Sequence, residues 1–300
     1  MKILNMSKKK FDSLELLELP NHVFNTEGKI YVLPSKNKWQ SEIKLLKKLY
    51  NTNGAVFGNK LQTINSLVDN QNAIAIEEIV FPEKLAVIGE QIVGYTMPYI
   101  KSTNLKTALL SREISNEEKI DYLKQIGMIL EKVKLVRQYS TIKDFYLNDV
   151  HESNFIVDEN KKIKVVDIDS CKINNNFIFG SKYLTPNGLI KDIPKYKVEE
   201  TFSCGGYFIP SEDTDLYCYI IMILNFLSGI DINRISLEEF YNYLEYIHSI
   251  GITKELIDIF EKVVSNSQNE NPYELLDAIT PYVCQSDYNV YNYVKRKSLK

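Results

Sequence analysis

The segment from Phe145 to Ser170 constrains the fold of this chain more than any other stretch. Two short apolar runs flank the turn-like residues 158–161, which predicts a strand, a turn and a second strand. A carboxylate beside a buried strand needs a cation, a hydrogen-bond donor or water, because burial of an unpaired charge is costly. The pattern therefore predicts a polar site built on a strand pair. Three polar residues stand next to these runs: Asp149, Asn154 and Asp167.

The order and spacing of these residues resemble a known type of motif. Asp149 precedes Asn154 by five residues and Asp167 by 18. The two stretches read Asp-Val-His-Glu-Ser-Asn from Asp149 and Val-Asp-Ile-Asp-Ser from Val166. Their order and interval resemble the catalytic loop and second acidic motif of the protein-kinase-like superfamily. The second stretch is similar to that of bacterial kinase-like proteins, and the first is also used by aminoglycoside and choline phosphotransferases.

The resemblance implies a role for each polar residue, with ATP and Mg²⁺ as cofactors. Asp149 would meet the hydroxyl of the substrate, and His151 would orient Asp149 or its loop. Asn154 and Asp167 would hold Mg²⁺ against the phosphates, since Mg²⁺ prefers hard oxygen ligands. Asp169 would add a second carboxylate to the metal site or accept a hydrogen bond from the loop.

The resemblance also implies a place for the nucleotide. The segment 94–100 is similar to the connection between the two lobes, where backbone groups near Met97 and Tyr99 would bind adenine. The apolar residues of segment 38–50 recur at a spacing near 3.6, which predicts a helix. This helix would correspond to helix C of the family, and its Glu42 would pair with the lysine that holds the ATP phosphates. Lys29 is the first candidate for that lysine and Lys36 is the second.

Several features depart from the family pattern. No Gly-rich loop or Val-Ala-Ile-Lys motif is visible, and Asp169 stands where the last residue of Asp-Phe-Gly would be. A pseudokinase, acting as a binding or scaffold module, is therefore the alternative to an active enzyme.

The predicted fold class is α+β, with the two-lobed architecture of protein kinases. Residues 1–97 would form a small β-rich lobe with helix C and about five strands, among them a strand at 29–33 and a hairpin of 85–88 with 92–97. Residues 98–300 would form a larger helical lobe that carries the catalytic loop 147–154 and the metal motif 167–169. Within it, helices are predicted to begin after Ser115 and Ser236 in capping-box patterns, and an apolar stretch at 216–228 predicts a buried helix.

Composition excludes several classes of protein. The net charge is −3, from 36 basic and 39 acidic residues, so a nucleic-acid partner is not expected. The longest apolar stretch, 216–227, is too short for a spanning helix, and residues 1–11 lack the apolar run of a signal peptide. The four cysteines show no metal-binding spacing. A cytoplasmic location with reduced thiols is therefore expected.

The function that the resemblance implies is an ATP- and Mg²⁺-dependent phosphotransferase. Serine or threonine of a protein substrate is the favoured acceptor, because the stretch from Asp169 to Pro210 is long enough to form a platform for a polypeptide. A small-molecule kinase of the aminoglycoside or choline type remains open, as does the pseudokinase. The sequence does not indicate an oligomeric state.

Overall fold

The computed structural model has an α+β architecture, in which an N-terminal mixed sheet of six strands is followed by a region rich in helices. Among the described residues, no helix combines the length and apolar character needed to cross a membrane. The structure describes residues 2–18, 27–34, 43–52, 54–176, 183, 209–229, 231–232, 235–266 and 270–282.

The N-terminal sheet has the strand order β1-β5-β6-β4-β3-β2. Its strands are β1 (Ile3–Met6), β2 (Glu15–Leu16), β3 (Gly28–Leu33), β4 (Lys44–Leu49), β5 (Lys84–Ile88) and β6 (Gln91–Pro98). β1 is parallel to β5, and all the other neighbours are antiparallel. A short helix, α1 (Lys8–Phe11), follows β1, and a long helix, α2 (Gly54–Ile74), connects β4 to β5.

Each face of this sheet is covered by a different set of side chains. Leu45 packs with Ile64 of α2 on one face, whereas Leu46 packs with Met6 and Phe11 on the other. Side chains alternate along a strand, so Lys47 shares the face of Leu45 and lies under α2. This alternation explains why a lysine is almost completely buried in β4.

The prediction of a helix over 38–50 is wrong for residues 44–49, which form β4. Residues 35–42, and with them Glu42 and Lys36, lie outside the described residues. The apolar residues of this stretch fit a helix and a central strand equally well, and pairing with β3 and β6 decides the outcome. The helix of the N-terminal region is instead α2, which the sequence reasoning missed.

Other predicted elements of this region are confirmed. The expected strand at 29–33 is β3, and the expected hairpin of 85–88 with 92–97 is formed by β5 and β6. At Gly94 of β6, an added Cβ would lie 1.8 Å from the carbonyl oxygen of Lys47, so only glycine allows the two strands to approach this closely.

The second region contains short strands and most of the helices. These are β7 (Ser102–Asn104), α3 (Leu105–Leu110), α4 (Asn116–Tyr139), β8 (Phe145–Tyr146), β9 (Phe155–Asp158), β10 (Ile163–Val165), β11 (Lys172–Ile173), α5 (Glu212–Ser228), α6 (Leu237–Ser249), α7 (Lys254–Asn266) and a 3₁₀ helix (Tyr273–Tyr282). Ser115 and Ser236 cap α4 and α6 as predicted, and α5 is the expected buried helix.

The strands of the second region form two small sheets, β10-β9-β7 and β11-β8. β9 and β10 are the antiparallel pair that the sequence predicts around the turn at 158–161. The loop 147–154 connects β8 to β9, and the loop 166–171 connects β10 to β11. Since β9 pairs with β10 and β8 pairs with β11, the two loops cross the same gap side by side.

Candidate functional site

The two loops are hydrogen-bonded to each other near both ends. The backbone N–H of Val166 donates to the carbonyl oxygen of Asn154 at 2.8 Å. The side-chain amide of Asn148 donates to the carbonyl oxygen of Ser170, also at 2.8 Å. The loops therefore form one unit, which brings the segment of Asp149 and Asn154 next to the segment of Asp167 and Asp169.

A buried aspartate of α5 holds the first loop in place. The carboxylate of Asp215 accepts the backbone N–H groups of Leu147 and Asn148 at 2.8 and 2.7 Å. Burial raises the pKa of Asp215 to about 7, although these two N–H groups oppose the shift. Asp215 therefore braces the loop, and the N-cap of α5 is Ser211.

Asp149 and Asn154 are in direct contact within this loop. The side-chain amide of Asn154 donates to the Asp149 carboxylate at 2.9 Å and to the Asp149 carbonyl oxygen at 3.0 Å. Asp149 follows Asn148, whose backbone is left-handed with φ of 66°, a conformation that asparagine tolerates. This turn leaves about a quarter of the Asp149 side chain exposed, so a second molecule can reach its carboxylate.

His151 faces the same carboxylate. Its Nε2 lies 3.4 Å from Oδ2 of Asp149, and its Nδ1 accepts the backbone N–H of Ser153 at 3.2 Å. Because Nδ1 is an acceptor, the proton of a neutral His151 lies on Nε2 and points toward Asp149. This arrangement is suited to orienting the carboxylate.

Asp167 has the backbone conformation of a strained site. Its φ of 60° and ψ of 43° are left-handed, which costs a residue with a side chain about 1–2 kcal/mol. The side chain is about one third exposed, and one of its oxygens accepts from Nζ of Lys47. Such strain is typical of functional positions.

Lys47 of β4 is the central cation of the site. Its side chain is 1% exposed, and Nζ contacts Asp167, lies 3.0 Å from Oδ2 of Asp169 and 3.6 Å from Oε2 of Glu27. Burial disfavours the charged lysine, but the three carboxylates outweigh it and raise the pKa of Lys47 well above the usual range. Lys47 is therefore a permanent positive charge at the inner end of the site.

Asp169 is the buried anion that holds the cations. Its side chain is also 1% exposed, and its two oxygens lie 3.0 Å from Nζ of Lys47 and 2.9 Å from Nζ of Lys60. The hydroxyl of Tyr95, directly opposite Lys47 on β6, donates to Oδ2 at 2.9 Å. Burial would raise the pKa of Asp169, but Lys47 and Lys60 lower it to about 2.

Glu27 completes the cluster from the residue before β3. Its carboxylate contacts Lys60, and its side chain is 46% exposed. Carboxylate oxygens of Glu27, Asp167 and Asp169 lie within 4.8 Å of one another and could hold a metal ion. Asn154 and Asp167 offer the amide and carboxylate oxygens that Mg²⁺ prefers, so the donor set fits the predicted cation.

The first candidate for the phosphate-holding lysine, Lys29, does not lie beside Asp167. Lys29 is exposed on β3 and pairs with Lys48, so it lies on the face of the sheet opposite Lys47. The sequence reasoning expected Lys29 to hold the ATP phosphates and to pair with Glu42, whereas the lysine that contacts Asp167 is Lys47.

The two residues expected to border adenine lie at the end of β6. Met97 is buried opposite Leu45, and Tyr99 is 37% exposed. The backbone N–H of Tyr99 donates to the carbonyl oxygen of Ile43 at 2.9 Å. Adenine binding at this strand end would therefore use other backbone groups of the segment.

Sequence reasoning missed Lys47, Lys60, Glu27 and Tyr95. A signal existed for Lys60, because it lies one helical turn before Ile64 and two turns before Leu67, both fully buried. A charged residue in line with an apolar stripe indicates a buried charge with a partner.

Comparison with known proteins adds no family to this description. No protein-family model matches the chain, and no curated protein matches it.

Proposed function

We propose that this chain is an ATP- and Mg²⁺-dependent phosphotransferase with the two-lobed protein-kinase-like fold. The observation that carries the proposal is the contact of the buried Lys47 with Asp167, on a loop bonded to the loop of Asp149 and Asn154. In protein kinases the phosphate-holding lysine lies on the third strand of the sheet. Lys47 lies on the third strand of the antiparallel run that begins with β2.

Each residue has a distinct task in this proposal. Mg²⁺-ATP supplies the phosphoryl group and the charge that neutralises its transfer. Asn154 and Asp167 hold the metal, while Lys47 holds phosphate oxygens. Asp149 accepts the proton of the acceptor hydroxyl, and His151 keeps the Asp149 carboxylate oriented. Asp169 has both oxygens engaged by Lys47, Lys60 and Tyr95, so we assign it to positioning the cations and only secondarily to the metal.

The remaining predictions belong to the same proposal. The smaller lobe would span residues 1–97 and the larger lobe 98–300, with adenine bound at the junction near Met97 and Tyr99. The favoured acceptor is a hydroxyl of a protein. The stretch 184–208, which would form most of the platform for a polypeptide, lies outside the described residues.

A pseudokinase is the second candidate, and one observation favours it. The sequence of α2 contains no glutamate, and α2 presents Lys60 to the cluster instead. The kinase pattern of one lysine held by a helix glutamate is therefore absent from α2. Binding of Mg²⁺-ATP without turnover would select this candidate.

The test is calorimetric titration of ATP with and without Mg²⁺, followed by a phosphoryl-transfer assay. We expect Asp167→Ala to abolish the Mg²⁺-dependent part of ATP binding while the protein stays folded. Asp158→Ala, at a turn aspartate outside the cluster, is the matched control. Equal Mg²⁺-dependent affinity in Asp167→Ala and the wild type would contradict the assignment of the metal site.

A further inference from the structure

The helix that covers Lys47 contributes a second buried cation. Lys60 lies on the face of α2 that packs against the sheet, and its side chain is 7% exposed. Nζ lies 2.9 Å from Oδ1 of Asp169 and contacts the Glu27 carboxylate. A buried lysine costs desolvation free energy, which an apolar side chain in line with Ile64 would avoid. The charge of Lys60 therefore calls for a reason beyond packing.

The partners of the two lysines differ in how deeply they are buried. Asp169 balances one positive charge from the inner side, where no solvent reaches it. On the outer side, Oε2 of Glu27 lies 3.6 Å from Lys47 and bonds to Lys60. Glu27 is nearly half exposed, so a ligand from solvent can replace the Glu27 carboxylate at far less cost in free energy than the buried Asp169 carboxylate.

We propose that Lys60 is a second phosphate-binding lysine and that the Glu27 carboxylate takes the place of a phosphate group until nucleotide binds. This proposal rests on the proposed function. An oxygen held between two ammonium groups has the surroundings that a phosphate oxygen requires, and charge-assisted bonds of this kind are strong. Binding of the nucleotide exchanges one anion for another, so neither lysine is left unpaired.

Two phosphate-binding lysines make the site selective for polyphosphates. ATP and ADP present several charged oxygens to Lys47 and Lys60, whereas AMP presents one phosphate group. Inorganic tripolyphosphate should compete with ATP, because the proposed contacts involve no part of the adenosine.

The first test compares Lys60→Met with Lys132→Met, which removes the lysine of a long-range ion pair with Glu78 outside the cluster. Binding of Mg²⁺-ATP, Mg²⁺-ADP and adenosine is measured by calorimetry, and folding by thermal melting. We expect Lys60→Met to weaken Mg²⁺-ATP and Mg²⁺-ADP by about tenfold or more, with adenosine unchanged. A purely structural lysine would lower the melting temperature and leave the ratio of ATP to adenosine affinity unchanged, which would overturn the proposal.

The second test is Glu27→Gln, whose effect on Mg²⁺-ATP affinity should be opposite to that of Lys60→Met. Removing a competing carboxylate should tighten Mg²⁺-ATP binding by about fivefold, because the half-exposed Glu27 carboxylate is held only weakly by the two lysines. Weaker or equal binding would mean that Glu27 does not compete with the phosphates and would overturn its part of the proposal. If Lys60→Met does not fold, the Mg²⁺-ATP affinity of Glu27→Gln decides between the two outcomes.

Failure of this proposal can be told from failure of the proposed function. If the wild type binds neither Mg²⁺-ATP nor tripolyphosphate, both are overturned. If the wild type binds Mg²⁺-ATP and Lys60→Met binds it equally, the phosphotransferase proposal stands and only the second lysine is rejected.

Discussion

Replacement of Lys47 by methionine should destabilise the protein through the charge it leaves behind. Methionine matches the length of the lysine stem, so the apolar packing under α2 is largely kept. The change removes the ammonium group that lies 3.0 Å from the buried Asp169 carboxylate. Breaking a buried ion pair by removing one partner costs about 3–5 kcal/mol.

The expected loss of unfolding free energy in Lys47→Met lies at the lower end of this range. Asp169 keeps Lys60 at 2.9 Å and the hydroxyl of Tyr95 at 2.9 Å after the change. Asp167 is about one third exposed and can be hydrated. We therefore expect Lys47→Met to lower the free energy of unfolding by about 3 kcal/mol.

The assay is urea unfolding followed by circular dichroism, with Lys48→Met as the matched control. Lys48 is the next residue of β4, points to the opposite face of the sheet and lies 5.0 Å from the ring centre of Phe11. Its replacement should cost less than about 1 kcal/mol. Equal destabilisation by the two variants would refute the argument that Lys47 neutralises buried charge.

A double-mutant cycle isolates the pair itself. Asp169→Asn removes the anion, so adding Lys47→Met to it no longer leaves a carboxylate without Lys47. The losses of unfolding free energy in the two single variants should therefore not add up in the double variant, and the interaction free energy should be about 1–3 kcal/mol. Additive costs would show that Lys47 and Asp169 act independently.

Three further predictions test other parts of the site. The pKa of Asp169 is lowered from 3.8 to about 2, so its contribution to stability is fully present above pH 4 and lost as the pH falls through 2. The difference in unfolding free energy between wild type and Asp169→Asn should therefore shrink by about 2 kcal/mol over this range, and a constant difference would contradict the shift. In urea unfolding, Gly94→Ala should lower the free energy of unfolding by at least about 2 kcal/mol, because the added Cβ would lie 1.8 Å from the Lys47 carbonyl oxygen. Gly58→Ala in α2 should raise it by up to about 1 kcal/mol, because the added Cβ has no atom within 4 Å. Asp149→Asn should keep the ATP affinity measured by calorimetry and lower turnover at least about 100-fold, and full turnover would reject the role of Asp149 as base.

The parts of the site that could be predicted from the sequence are local in the chain. Asp149, Asn154 and Asp167 lie on one strand–turn–strand unit, so their spacing and the adjoining apolar runs predict their grouping. The same locality explains why the hairpin of β5 and β6 and the capped starts of α4 and α6 were found. Short-range patterns carry this information because they depend only on neighbouring residues.

The cations of the cluster could not be predicted because their partners are distant in sequence. Lys47 and Asp167 are 120 residues apart, and the strand of Lys47 fits a helical pattern as well. α2 was missed because its sequence includes two glycines and four asparagines, which are weak helix formers. This helix is stabilised by the packing of Ile64 against the sheet and of Leu67 in the core of the second region. Local helix propensity contains no information about such packing.

The charge balance of the cluster would couple the proposed binding of Mg²⁺ to that of the nucleotide. Two lysines face three carboxylates, so the cluster alone carries one excess negative charge. This excess negative charge would repel a polyphosphate. A divalent cation bound at Asp167 would change the net charge of the cluster to one excess positive charge. A cation held by Asp167 would also compete with Lys47 for the Asp167 carboxylate, which would leave the Lys47 ammonium group available to an anion. Mg²⁺ and nucleotide should therefore each raise the affinity for the other by the same factor, and ATP affinity that is independent of Mg²⁺ would conflict with this balance.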